Sequence, residues 1–293
     1  MPSGSTAPYG GTVPNGSTVP GSAAPSGRTV SPGLAAEGRT PLPPWWVEFL
    51  GLALGYVLYQ GVQILVTGSK ASAVARARDV WAVERALHLD PEIWLNHIVA
   101  GSHVLVVVTG LYYGILHFAV TPAVLIWLRV CRHGSYARLR NVLVVTSVAA
   151  LVVFWLLPLA PPRLSVPDVI DTLKAGNILS AARPYGPARL ADQFAAMPSL
   201  HVAWAVWVAL ALVVALPGVR MRYLAWLYPL CTVLVVLGTG NHFLADVVAG
   251  ALLVWATWVI TGRFPGSELP QLPDDVPELQ DELSPALHGA GEP

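Results

Sequence analysis

Charged side chains are what this sequence has least of. Only 12% of its 293 residues are Asp, Glu, Lys or Arg, while 54% are hydrophobic; an ordinary soluble domain carries about 25% charged residues. A chain so poor in charge cannot cover its own surface with polar groups, which excludes a soluble globule. Cysteine is scarce as well. Cys131 and Cys231 are far apart and in no CxxC spacing, which excludes a disulfide framework and a cysteine-built zinc site and leaves them a packing role. Net charge is missing too: 17 basic residues balance 17 acidic ones, so no bulk positive field recommends nucleic acid as a partner. Near Met1 no basic stretch leads into an apolar one, so the N-terminal region is not read as a signal peptide.

What the sequence has is a series of apolar runs near the ~20 residues needed to cross a hydrocarbon core. Residues 1–44 are rich in Gly, Pro, Ser, Thr and Ala, with Arg28, Glu37 and Arg39 as their only charges, and are expected to be a disordered tail. A first span runs from Trp45, behind Pro43 and Pro44, to about Val66. Residues 70–96 interleave Lys70, Arg76, Arg78, Glu84 and Arg85 with Val74, Val80, Trp81, Val83 and Leu87, the pattern of an amphipathic helix lying at the interface. The apolar stretch from Ile98 to Val130 is too long for one span and is interrupted between His117 and Pro122, so two short spans with a turn near His117 are expected. Further spans are expected at 141–158, 199–216, 223–237 and 243–262.

The fold class that results is an all-α polytopic bundle of six or seven transmembrane helices over residues 45–263. The acidic, Pro-rich segment 264–293 is expected to be a disordered cytoplasmic tail. Arg129, Arg132, His133, Arg138 and Arg140 form the strongest basic cluster, and short basic loops stay in the cytoplasm. The polar loop 160–197 is therefore placed on the non-cytoplasmic face of the cell membrane. The many Trp near span ends, among them Trp45, Trp46, Trp94, Trp127, Trp255 and Trp258, suit an interfacial belt. Gly51, Gly55 and Gly61, and Gly101 and Gly110, are expected to permit close helix packing.

This topology gathers three polar elements at one membrane level: Pro161-Pro162-Arg163, Pro198-Ser199-Leu200-His201, and Asn241-His242 with Asp246. Ionisable groups at membrane depth are costly and by default mark function. His242 and Asp246 are four apart, hence on one helix face. A carboxylate there can hold imidazole Nδ1 and leave Nε2 as an oriented nucleophile. His201, on another helix, can supply a proton to a departing oxygen. Ser199 sits at a helix start, where amides favour an anion, and Arg163 can hold two phosphate oxygens in its planar fork.

The PSLH and HxxxD elements, separated by one intervening helix, resemble the type 2 phosphatidic acid phosphatase (PAP2) superfamily. The PPR element and the Tyr112-Tyr113 and His117 region are most similar to its branch of inositol phosphorylceramide synthases, which are inositolphosphotransferases. The resemblance implies that His242 attacks phosphorus to give a phosphohistidine, that Asp246 orients it and His201 protonates the leaving alkoxide, and that Arg163 and Ser199 bind phosphate with no cofactor and no metal. It implies as substrate a phospholipid or polyprenyl phosphate within the bilayer, whose phosphate passes to water or to a hydroxyl acceptor. Val235 and Val236 stand where the pattern usually has Ser-Arg, no Lys precedes Arg163 at the usual spacing, and Leu200 replaces the commonest Gly. Arg183, with Pro184 fixing its backbone, is named as a substitute cation among Lys174, Arg183 and Arg189, and His117 as a further phosphate contact. Two other readings stand beside this one: a non-catalytic anion-binding transporter or scaffold, and a zinc-dependent membrane hydrolase using His201, His242 and Asp246 as ligands.

Overall fold

The computed structural model describes residues 43–65, 70–175, 194–216, 218 and 220–262. Residues 1–42 of the expected N-terminal tail, the whole expected tail 264–293, and the Arg183 and Arg189 assignments lie outside these residues. Among the described residues there is no strand, only an isolated bridge between Leu159 and Ala195. The helices are α1 (Trp45–Leu65), α2 (Lys70–Ala86), α3 (Glu92–Ala100), α4 (His103–Cys131), α5 (His133–Leu156), α6 (Pro162–Ser165), α7 (Thr172–Ala175) and α8 (Leu200–Ala215). A 3₁₀ segment, Arg220–Trp226, then leads into α9 (Leu227–Gly238), and α10 (Leu244–Thr261) follows.

Four helical stretches are long and apolar enough to cross a membrane: His103–Cys131, His133–Leu156, Arg220–Gly238 and Leu244–Thr261. Two shorter apolar helices, Trp45–Gly55 and Leu200–Ala215, accompany them. Less than half of each spanning stretch is buried inside the protein; the rest presents Val, Leu, Ile and Trp outward, as a hydrocarbon solvent requires. This is an all-α membrane protein.

One expectation fails at α4. The chain does not turn near His117 but stays helical from His103 to Cys131, taking up the interruption as a π-helical segment at Tyr112–Leu116. Pro122 lies inside the last part of this helix. It removes one backbone donor, and the helix carries on past it. The apparent break is one wide turn, which re-aims the side chains on either side of it.

Helices α5, α8 and α10 enclose a core built on Tyr136, Leu139, Val142, Trp207, Val208 and Val254. Trp207, fully buried, donates its indole N–H to the Leu139 carbonyl at 2.8 Å. Thr146 and Thr257 join α5 to α10 through their hydroxyls at 2.7 Å. Among the described residues, Gly51, Gly55 and Gly61 of α1 have nothing within 4 Å of an added Cβ, so the close packing expected of them is not seen there. It occurs instead at Gly250, where a Cβ would lie 2.5 Å from the Ser199 carbonyl oxygen. Cys131 and Cys231 are exposed rather than packed.

The bundle has two different ends. At one, Glu48 of α1 meets Arg129 at 2.8 Å and Arg140 at 3.3 Å, joining the end of α4 to the start of α5. At the other, α2 is stitched to the segment after α5: Arg76 Nε donates to the Pro158 carbonyl at 2.9 Å, and Ala160 N–H to the Ala73 carbonyl at 3.2 Å. α2 turns Ala73, Ala77 and Glu84 to the protein, while Val83 and Leu87 are 59% and 61% exposed. Glu84, expected on the polar face, therefore belongs to the buried one.

Candidate active site

His242 stands in the turn between α9 and α10. Gly240 shapes that turn with a φ of +67°, and a Cβ there would lie 2.6 Å from Val169 Cγ1, so both its conformation and its surroundings call for glycine. The turn is fastened on two sides. Asn241 and His242 N–H both donate to the Val236 carbonyl, at 3.1 and 3.3 Å, and the Gly240 carbonyl accepts from Arg163 N–H at 3.0 Å.

The His242 ring is 4% exposed. Its Nδ1 lies 2.9 Å from the Ala196 carbonyl oxygen and 3.4 Å from Asp246 Oδ2. A carbonyl oxygen can only accept, so Nδ1 carries a hydrogen, and in the neutral imidazole the lone pair then lies on Nε2. Nε2 is buried with no hydrogen-bond partner. Asp246, fully buried, accepts from Phe243 N–H at 2.8 Å through the oxygen that faces His242. The carboxylate therefore belongs both to the imidazole and to the first turn of α10.

His201 lies in the first turn of α8, its ring centroid 5.6 Å from that of His242 at an interplanar angle of 60°. Tyr113, carried by the π-helical segment of α4, stacks on His201 at 4.0 Å and 16°. One phosphoryl group can touch both imidazoles across that separation. Ser199 caps α8: its Oγ accepts from Val202 N–H at 3.4 Å, its own N–H donates to the Asp246 carbonyl at 3.0 Å, and it is fully buried. Ser199 thus ties the start of α8 to α10.

Arg163, in α6, donates through Nη1 to Asn241 Oδ1, and its Nε sits 3.7 Å from Asp171 Oδ2. Asn241 in turn donates to Thr239 Oγ1 at 2.8 Å. The guanidinium is thus fixed beside the residue that precedes His242. The structure brings His201, Ser199, His242 and Asp246 together and holds Arg163 against their turn. His117 opens the last part of α4, but its side chain lies outside the description, as does Arg183.

Four residues that sequence reasoning did not assign to the site also bear on it. Tyr113 stacks on His201. Asn96, fully buried, donates to the Ile170 and Gly238 carbonyls, at 3.0 Å each, and accepts from Ile170 N–H at 2.7 Å. Glu84 and Glu92 accept from the Ala245 and Leu244 amides at 2.6 and 2.7 Å. Burial, with Glu92, Asp246 and Asp90 nearby, pushes the Glu84 carboxyl up to about 8, and burial raises Glu92 as well. The one sequence signal for Asn96 is an amide set in an apolar stretch; the two acids carry none beyond their sign. Among the described residues, no group of three or more His, Cys, Asp or Glu is arranged to hold a metal ion.

Fold and site define a class: an all-helical membrane protein with two histidines facing each other at one end of its bundle. A family model described as the PAP2 superfamily matches residues 78–260, and the chain belongs to that superfamily. Membership gives it a function of lipid phosphatase type. The matched segment takes in Glu84, Glu92, Arg163, His201, His242 and Asp246 and leaves out α1. No curated protein and no solved structure matches the chain.

Proposed function

We propose that this protein opens a phosphoester or diphosphate of a membrane lipid through a phosphohistidine on His242. The observation that carries the reading is the state of that ring: Nδ1 is held by the Ala196 carbonyl beside Asp246, and Nε2 is buried without a partner. In the first step the Nε2 lone pair attacks phosphorus and the bond to the leaving oxygen breaks, while His201 gives that oxygen a proton. Asp246 stabilises the imidazolium character that grows on His242. Arg163 and the N-terminal end of α8 hold the non-bridging oxygens, where charge accumulates in the transition state. In the second step His201 takes a proton from water or a lipid or sugar hydroxyl, which attacks phosphorus and frees His242.

The PPR element and the Tyr112-Tyr113 and His117 region of the sequence support a place near the inositol phosphorylceramide synthase branch, hence transfer to an alcohol. The basic ends of α4 and α5, with Arg129, Arg132, Arg138 and Arg140, lie at the opposite end of the bundle from the histidines. By the rule that keeps basic loops in the cytoplasm, they support a site on the non-cytoplasmic face of the cell membrane. Residues 45–263 would form the catalytic domain, between the tails 1–44 and 264–293.

The test is turnover of a lipid panel by purified protein in mixed micelles: phosphatidate, a polyprenyl diphosphate, and phosphatidylinositol with ceramide or diacylglycerol as acceptor. Wild type should release phosphate or form a new phospholipid from at least one, with or without excess EDTA. H242A should lose about 10³-fold or more in rate, as removal of a nucleophile does. Comparable rates in H242A, or loss on chelation restored by zinc, would contradict the reading.

A further inference from the structure

Two carboxylates that the proposed chemistry leaves unused close over the start of α10. Three consecutive amides there land on three different carboxylates: Phe243 N–H on Asp246 at 2.8 Å, Leu244 N–H on Glu92 at 2.7 Å and Ala245 N–H on Glu84 at 2.6 Å. Glu84 comes from α2 and Glu92 from the first residue of α3. They are 5% and 2% exposed, and the second oxygen of each is buried without a hydrogen-bond partner. A helix N-terminus is a ready seat for phosphate. Here the protein's own acids fill it, so α10 is closed to the substrate's phosphate and the start of α8 is left for it.

We infer that Glu84 and Glu92 are positioning residues, which clamp the first turn of α10 and thereby set the Asp246 carboxylate and the His242 ring. The inference rests on the reading of His242 as nucleophile. It gives α2 a part in the site: the helix expected merely to lie at the interface supplies one jaw of the clamp. Three buried carboxylates side by side cannot all be ionised. The charged groups facing Glu84 are Glu92, Asp90 and Asp246, all acidic, and the one charged side chain of α6, Arg163, is turned to Asn241 and Asp171. Glu84 therefore docks as the neutral acid, accepting through Oε1 and carrying its proton on Oε2. Burial and these neighbours raise it to about 8. A carboxyl raised in the folded state contributes fully below its free value, and that contribution is lost as pH climbs through the raised one. The clamp thus weakens as pH climbs from the free carboxyl value, still holds in part at neutral pH and has lost this contribution above about pH 8.

The experiment pairs hydrogen–deuterium exchange of the full-length protein, read on peptides spanning 243–247 and corrected for the intrinsic rate, with kcat and KM on the most active lipid of the panel. In E84A or E92A, protection of those amides should fall about tenfold, the worth of one lost hydrogen bond. The kcat should fall about 10- to 100-fold, as small misplacements of reacting groups do, and KM should stay within about twofold. E84Q keeps an acceptor and no charge. It should retain protection and activity at pH 7, and it should lack the decline that wild type shows in both readouts as pH climbs toward about 8. Intact protection in the alanine variants, or an unchanged kcat in them, would overturn the clamp, as would E84Q falling as far as E84A. Should E84A fail to insert, the pH profile of E84Q against wild type decides. A wild type that turns over no lipid phosphate, yet loses 243–247 protection on E84A, would sink the functional reading and leave the clamp standing.

Discussion

His242 is oriented by two acceptors of different kinds, and the difference alters what Asp246 is expected to do. In the serine-protease triad the aspartate alone fixes the imidazole tautomer, and its change to Asn costs about 10⁴-fold. Here the Ala196 carbonyl, at 2.9 Å against 3.4 Å for Asp246, already requires a hydrogen on Nδ1. D246N should keep the tautomer and the cap on Phe243 N–H and lose only the negative charge. We therefore expect a loss of about 10²-fold in kcat, the scale set by groups that tune a ligating or reacting imidazole, measured on the most active lipid of the panel. An unchanged rate would make the pair structural; a loss of about 10⁴-fold would mean that the carbonyl does not hold the tautomer. The His-Asp spacing and the PSLH element were legible because side chains write them into the sequence. The Ala196 carbonyl was not, since any residue supplies one. Glu84 and Glu92 were hidden for another reason: an acid in an amphipathic helix reads as a solvent face until the partner amides are known.

At the level of elements, the apolar runs were legible because a hydrocarbon solvent imposes length and composition together. Helices α8, α9 and α10 fall close to their expected ranges, while α5 starts at His133, eight residues before the expected 141. The failure at α4 has a physical cause. A polar residue and a proline mark a disturbance of helical hydrogen bonding, but they do not say whether the chain breaks or widens by one residue. The π-helical answer matters to the site, because the widened turn carries Tyr113, which lies on His201. The role of α2 was half legible. Its helicity followed from its pattern, but Ala73, Ala77 and Glu84 form its protein-facing side, and two of those are small residues that give no apolar signal. The glycines of α1 were misjudged in a similar way. Close approach depends on the neighbouring helix: Gly250, against the Ser199 carbonyl, has no room for a side chain, whereas the glycines of α1 do.

For the whole molecule, the separation of a basic end from a histidine end is the feature on which the proposed sidedness rests. In a background with Cys131 and Cys231 replaced, a cysteine at Lys174 should react with a membrane-impermeant maleimide in intact cells, and one at His133 should react only after the membrane is opened. The reverse pattern would put the site on the cytoplasmic face. The central claim, that His242 takes the phosphoryl group, is tested most directly by trapping it. H201Q, given a labelled lipid substrate whose leaving group needs no protonation, retains the attack and loses the base for the second step. Label should accumulate on His242 as a phosphoramidate, stable to base and labile to acid, and be absent from H242A. A fully active wild type with no trapped label in H201Q would contradict it, and would leave direct displacement with His242 as a general base.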